Sequence, residues 1–155
     1  MIQRIDVNRG PFIPGAVSRL IELDLEASLD FERAANLLEA GSVAAYLREC
    51  GERRQGFADQ LAASSGATRC RRTSSDLLLA PARHRWWLAF DRPVRGSDVA
   101  PLLDAADRGE AMVEERYESA RRETESRELL AVMLHQHLAI RDDRATLRML
   151  RIACT

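Results

Sequence analysis

The sequence has no lysine, and its 155 residues include only three cysteines, five prolines, eight glycines and 5% aromatic residues. Each shortage excludes something. Cys50, Cys70 and Cys154 are widely spaced and form no C-x-x-C, so neither a disulfide framework nor a zinc knuckle is indicated, and a reducing, cytoplasmic setting is the default expectation. No apolar stretch approaches the roughly 20 residues of a membrane span, and the opening "MIQRIDVNRGPFIPG" lacks the apolar run of a signal peptide. No membrane partner is expected. Charge of one sign is also missing: 23 basic residues stand against 24 acidic ones, for a formal net charge of −1. That balance gives no electrostatic reason to expect nucleic acid. All 23 basic residues are arginine, spread along the chain and interleaved with acids, which fits coding bias better than a phosphate-binding cluster.

What is present is apolar periodicity. With 46% hydrophobic and 30% charged residues, the chain is long enough for one domain with one buried core. Val17, Leu20, Ala27, Phe31, Ala35 and Leu38 recur at threes and fours, predicting a helix over about 17–40 that stops at Gly41. Ser42 can cap a second helix to about residue 65, with Val43, Tyr46, Leu47, Cys50, Phe57 and Leu61 on one stripe and Gly66 as its end. Ser97 can cap a third over about 98–125, where Pro101 is tolerable in the first turn. Ser126 opens a fourth over about 126–152. The expected fold is all-α, a single four-helix-bundle domain over 1–155.

The joints carry topology. Near-absent connections within the first and last pairs predict two antiparallel hairpins. Between the hairpins, 66–97 is too long for a tight turn and long enough to cross the bundle, as in ferritin-like connections. Within it "RHRWWLAF" predicts a short helix after Pro81, with Trp86 and Trp87 placed to close one end of the core. His84 reads as a packing or capping residue.

"MLHQHLAIRDD", residues 133–143, looks at first like half of a metal site. At 100° per residue it does not hold up. Leu129, Val132, Met133, Ile140, Leu147 and Leu150 define the buried stripe, and His135 and His137 fall to opposite sides of it. Gln136 and Asp143 sit inside the stripe instead. On the third helix Glu110 lies within the apolar face of Leu103, Ala106, Val113, Tyr117 and Ala120. On the second, Arg54 shares the face of Cys50, Phe57 and Leu61. An isolated buried charge costs several kcal/mol, so these groups should pair with one another or with a cation. A four-helix di-iron centre takes a glutamate from each of two helices and Glu-x-x-His from each of the other two. Glu-x-x-His occurs nowhere in this chain, and the second and third helices hold no histidine. The Arg54 fork is therefore expected to meet one or both of Glu110 and Asp143, in a core polar network with Gln136 and Tyr117.

Taken together, four stretches carry a resemblance: "RQGFADQL" from Arg54 to Leu61, "HRWW" from His84 through Arg85 to Trp87, "GEAMVEERY" from Gly109 to Tyr117, and Gln136 with Asp142 and Asp143. In order and spacing they resemble a bacterial ferritin-like family of unknown function. Its pattern is R-x-x-F-A-x-E-L, then H-R-x-W, then G-E with Tyr seven residues later, then Q…H-D. The resemblance covers roughly 17–151 and implies a fold and a bundle core rather than a reaction. Gln60 and Asp142 depart from the family's Glu and His, and both departures remove potential ligands.

Two functional classes follow. One is a non-catalytic bundle without a cofactor, acting through its surface or as a homodimer, with internal polar groups fixing helix register. The other is an atypical metal or redox protein holding iron or manganese with Glu110, Asp143 and Glu26. Asp24, on the first helix's apolar stripe, is compatible with either. No spacing brings a nucleophile near a base, so Ser/His/Asp or Cys/His catalysis is not indicated.

Overall fold

Apolar residues at threes and fours build four long helices, and the way their ends stop sets how they pack. The structure is a computed structural model and describes residues 15–66, 90 and 93–154. Helix α1 is Gly15–Leu37, α2 is Ser42–Ser64, α3 is Val99–Glu123 and α4 is Arg127–Ala153, with a single 3-10 turn at Gly96–Asp98 before α3. No strand forms among the described residues beyond one isolated bridge between Leu38 and Val94. The short helix expected around His84, Arg85 and Trp87 lies outside the described residues. Phe90 packs against the core cluster that contains Phe31 and Leu47.

Three ends differ from the sequence expectation. Helix α1 stops at Leu37, short of residue 40, because the Leu37 carbonyl accepts from the Val94 amide at 2.8 Å and Leu38 turns into the bridge. Gly41, not Ser42, occupies the cap position of α2, and Ser42 is its first helical residue. Asp98, not Ser97, precedes α3, with no side-chain cap bond. Two ends follow the local signals. Ser126 accepts from the Leu129 amide at 3.4 Å, and Gly66 takes a left-handed φ of 79° just past α2, the conformation that favours glycine after a helix.

Long-range pairs fix the directions of the helices. Arg19 meets Glu123 and Asp24 meets Tyr117, so α1 and α3 are antiparallel. Tyr46 meets Asp143 and Phe57 meets Gln136, so α2 and α4 are antiparallel as well. Helices α1 and α2 pack most extensively, then α3 and α4. The bundle therefore runs up, down, down, up. Helix α2 ends beside the start of α1, and Val94, just before α3, lies against the opposite end of α1.

The core is divided. One apolar cluster, with Val17, Leu20, Phe57, Leu61, Tyr117 and Met133, fills the half where α1 begins. Another, with Phe31, Leu47, Cys50, Leu102, Leu103 and Leu147, fills the half where it ends. Arg54, Glu110 and Asp143 are buried where the two meet, and Asp24 and Gln136 are buried within the first.

Two glycines of α2 have opposite reasons to exist. A Cβ on Gly51 would stand 3.0 Å from the Ser28 carbonyl oxygen, whereas one on Gly56 would meet nothing within 4 Å. Gly51→Leu should push α1 from α2 and destabilise by about 1–3 kcal/mol. Gly56→Ala should stabilise by about 1 kcal/mol through helix propensity alone. Urea melts of both variants check the contrast.

Candidate functional site

Arg54 projects from the middle of α2 into the bundle and is fully buried. One terminal nitrogen, Nη2, serves two carboxylates: it donates to Glu110 Oε2 on α3 and lies 3.3 Å from Asp143 Oδ2 on α4. Its guanidinium carbon stands 5.3 Å from the Phe57 ring centroid and 5.9 Å from that of Phe31, so apolar rings flank the charge. Burial disfavours the cation, but Glu110 with Asp24 and Asp143 together outweigh it and hold Arg54 protonated. Burial pushes the Glu110 carboxyl up, and the guanidinium pulls it back.

Asp143 is shared. Arg53 Nη2 donates to its Oδ1 at 2.6 Å, and the Tyr46 hydroxyl donates to the same oxygen at 2.8 Å. Two arginines thus face two carboxylates, with the Glu49 carboxylate also 3.9 Å from Arg53. Beside it, burial pushes the Cys50 thiol up to about 12, which leaves it protonated and unreactive.

A second network lies next to the first. The Tyr117 hydroxyl on α3 sits 2.5 Å from Asp24 Oδ2 on α1 and 2.9 Å from Gln136 Oε1 on α4. Gln136 Nε2 in turn donates to the Phe57 carbonyl at 3.3 Å and to Gln60 Oε1 at 2.9 Å, both on α2. Asp24 Oδ1, Arg54 Nε and Arg54 Nη1 are buried without a hydrogen-bond partner.

The structure therefore brings Arg54, Glu110 and Asp143 together, places Tyr117 with Gln136, and adds Asp24 to that pair. Glu26 is elsewhere. It lines a groove between α1 and α3 with Arg19, Arg116 and Glu123, so the trio Glu26, Glu110 and Asp143 is not assembled. Three participants escaped the sequence reading: Arg53, Tyr46 and Gln60. Arg53 and Tyr46 are only half buried, and they reach Asp143 with long side chains whose direction a helical wheel does not give.

A di-metal centre does not fit these residues. The position between Glu110 and Asp143 is held by a guanidinium that cannot lose its proton, and among the described residues no histidine bonds to either carboxylate. One other carboxylate–histidine group exists among the described residues, Glu114, Glu118 and His137. His137 Nδ1 lies 3.4 Å from Arg121 Nη1 and Nε2 lies 3.0 Å from Glu114 Oε1. Arginine can only donate, so Nδ1 accepts and Nε2 carries the hydrogen given to Glu114. The second Glu114 oxygen takes Arg144 at 2.7 Å. Burial raises the Glu114 carboxyl, but the bonds from Arg144 and His137 outweigh it and lower it. The group is a partly buried lattice of ion pairs and hydrogen bonds between α3 and α4.

No helix among the described residues is long and apolar enough to cross a membrane. Comparison of the chain with protein-family models, curated proteins and solved structures finds no match.

Proposed function

We propose that this chain is a ferritin-like four-helix bundle in which the Arg54 guanidinium takes the central position that a di-metal site takes in metal-binding members of that architecture. It acts without catalysis, through its surface or by self-association in the cytoplasm. The observation that carries this reading is the fully buried guanidinium bonded to carboxylates of two other helices. The up, down, down, up order with one long connection supports the ferritin-like part.

The chemistry of the core supports the non-catalytic part. Glu110 and Asp143 are occupied by arginines, and the Cys50 thiol is protonated and buried. The outer face of α4 supports the interaction part, since Leu134, Leu138 and Met149 are exposed there at helical spacing.

Elemental analysis tests the core, and sedimentation tests the surface. Protein purified without chelator should carry well under one equivalent of iron, manganese or zinc, and should sediment as a dimer at micromolar concentration. Stoichiometric iron that disappears in Glu110→Ala would establish the metal reading instead. A monomer at every concentration would remove self-association.

A further inference from the structure

Tyr117 has one hydroxyl hydrogen and two acceptors within reach, Asp24 Oδ2 and Gln136 Oε1. It can serve one. The choice is forced from the far end of the chain, because the Phe57 carbonyl only accepts. The Gln136 group facing it at 3.3 Å must therefore be Nε2, which leaves Oε1 toward Tyr117. Tyr117 must then give its hydrogen to Gln136, or two acceptor oxygens would face each other at 2.9 Å in a dry interior. Its own oxygen is left to accept, and Asp24 is the group that remains to donate.

We infer that Asp24 carries a proton in the folded protein and donates it to Tyr117, so that one directed hydrogen-bond chain runs from α1 through α3 and α4 to α2, and that losing this proton is a pH-sensitive release of the bundle.

Two further observations agree. Asp24 Oδ1 is fully buried with no hydrogen-bond partner, which suits the carbonyl oxygen of an acid far better than half of a carboxylate. Arg54, the cation that acts on it, already has the carboxylates of Glu110 and Asp143. An ionised Asp24 would add a third.

The groups that face Asp24 come from each neighbouring helix. Helix α2 presents Arg54, which favours ionisation; α3 presents Glu110, which opposes it, and Tyr117. Helix α4 presents uncharged Gln136 through Tyr117, with the His137 ring 6.5 Å from the tyrosine ring, and Asp143 behind Arg54. Burial is the largest influence and raises the carboxyl from its ordinary 3.8 to about 7, against the pull of Arg54 and Tyr117.

The direction of the pH effect follows. Between the unfolded value of 3.8 and the folded value of about 7 the native state holds a proton that the unfolded chain has lost. The stabilisation is complete below the lower value and is lost as pH rises through the upper one. Above about pH 8 Asp24 is ionised, Tyr117 turns its hydrogen to it, and Gln136 loses either Tyr117 or the Phe57 carbonyl.

Asp24→Asn tests this, because an amide can donate to Tyr117 at every pH. Unfolding equilibria of wild type and Asp24→Asn should diverge with pH. Relative to the variant, the wild-type unfolding constant should rise about 100-fold between pH 5 and pH 8, and the variant should be the more stable protein at pH 8. A pH-independent ratio, or a variant that loses stability most at pH 8, would mean that Asp24 is an ionised partner of Arg54 and would overturn the inference. Infrared difference spectra of the wild type need no variant to fold. A protonated-carboxyl C=O band should be present at pH 5.5 and titrate away near pH 7, and its absence at pH 5.5 would refute the proposal.

Discussion

Arg54→Met is expected to destabilise the bundle by roughly 3–5 kcal/mol, and Glu110→Leu by a similar amount. Methionine nearly matches the volume of the arginine stem, so the loss does not come from a cavity. It comes from the partner left behind. Without Arg54, the buried Glu110 carboxylate has no bonded cation, and Asp143 keeps only Arg53 and Tyr46. Without Glu110, a fully buried guanidinium retains one carboxylate at 3.3 Å. A metal core predicts a different pattern, in which Arg54→Met is mild and Glu110→Leu costs the ion. Denaturant melts of the two variants separate the accounts.

Tyr117→Phe should cost about 2–6 kcal/mol even though the ring is kept. The phenol oxygen joins three helices, and its removal leaves Gln136 Oε1 and Asp24 Oδ2 without partners in a fully buried site. Each orphaned buried polar group costs about 1–3 kcal/mol, which sets the range. The loss should appear in the midpoint of a urea melt with little change in its slope. A change below about 0.5 kcal/mol would mean that the phenol hydroxyl does not hold this network together.

The sequence exposes some of this arrangement and conceals the rest for physical reasons. A 100° wheel puts Arg54, Glu110, Gln136 and Asp143 on inward faces, and those four side chains are buried. Spacing on one helix says nothing about which inward group on another helix it meets. Asp24 is therefore ambiguous in the sequence, and it is Tyr117, 2.5 Å away, that gives it a partner. Half-buried residues are harder still. Arg53 lies one position from Arg54, on a different face, and joins the network only because its side chain reaches back to Asp143. His137, which the wheel puts off the centre of the stripe, is nonetheless buried by Glu114, Arg121 and the Tyr117 ring. The end of α1 belongs to the same class. Nothing local stops the helix at Leu37; a residue 57 positions later does, through one backbone bond from Val94.

Small residues show where local rules and packing part. Ser126 and Gly66 act within their own turns, so sequence alone identifies them. Gly51 has no local reason to be glycine, since a mid-helix glycine is unfavourable, and its role appears only when Ser28 of α1 is placed against it.

Arg54 and Glu110 pair at the centre of the buried polar cluster, and the most direct test of that pairing is the coupling energy from wild type, Arg54→Met, Glu110→Leu and the double variant. Two apolar side chains of similar size need no ionic partner, so the double variant should recover much of what either single loses, leaving a coupling of roughly 2 kcal/mol or more. A coupling near zero, with the two losses simply adding, would show that the side chains do not depend on each other and would contradict the guanidinium-centred core.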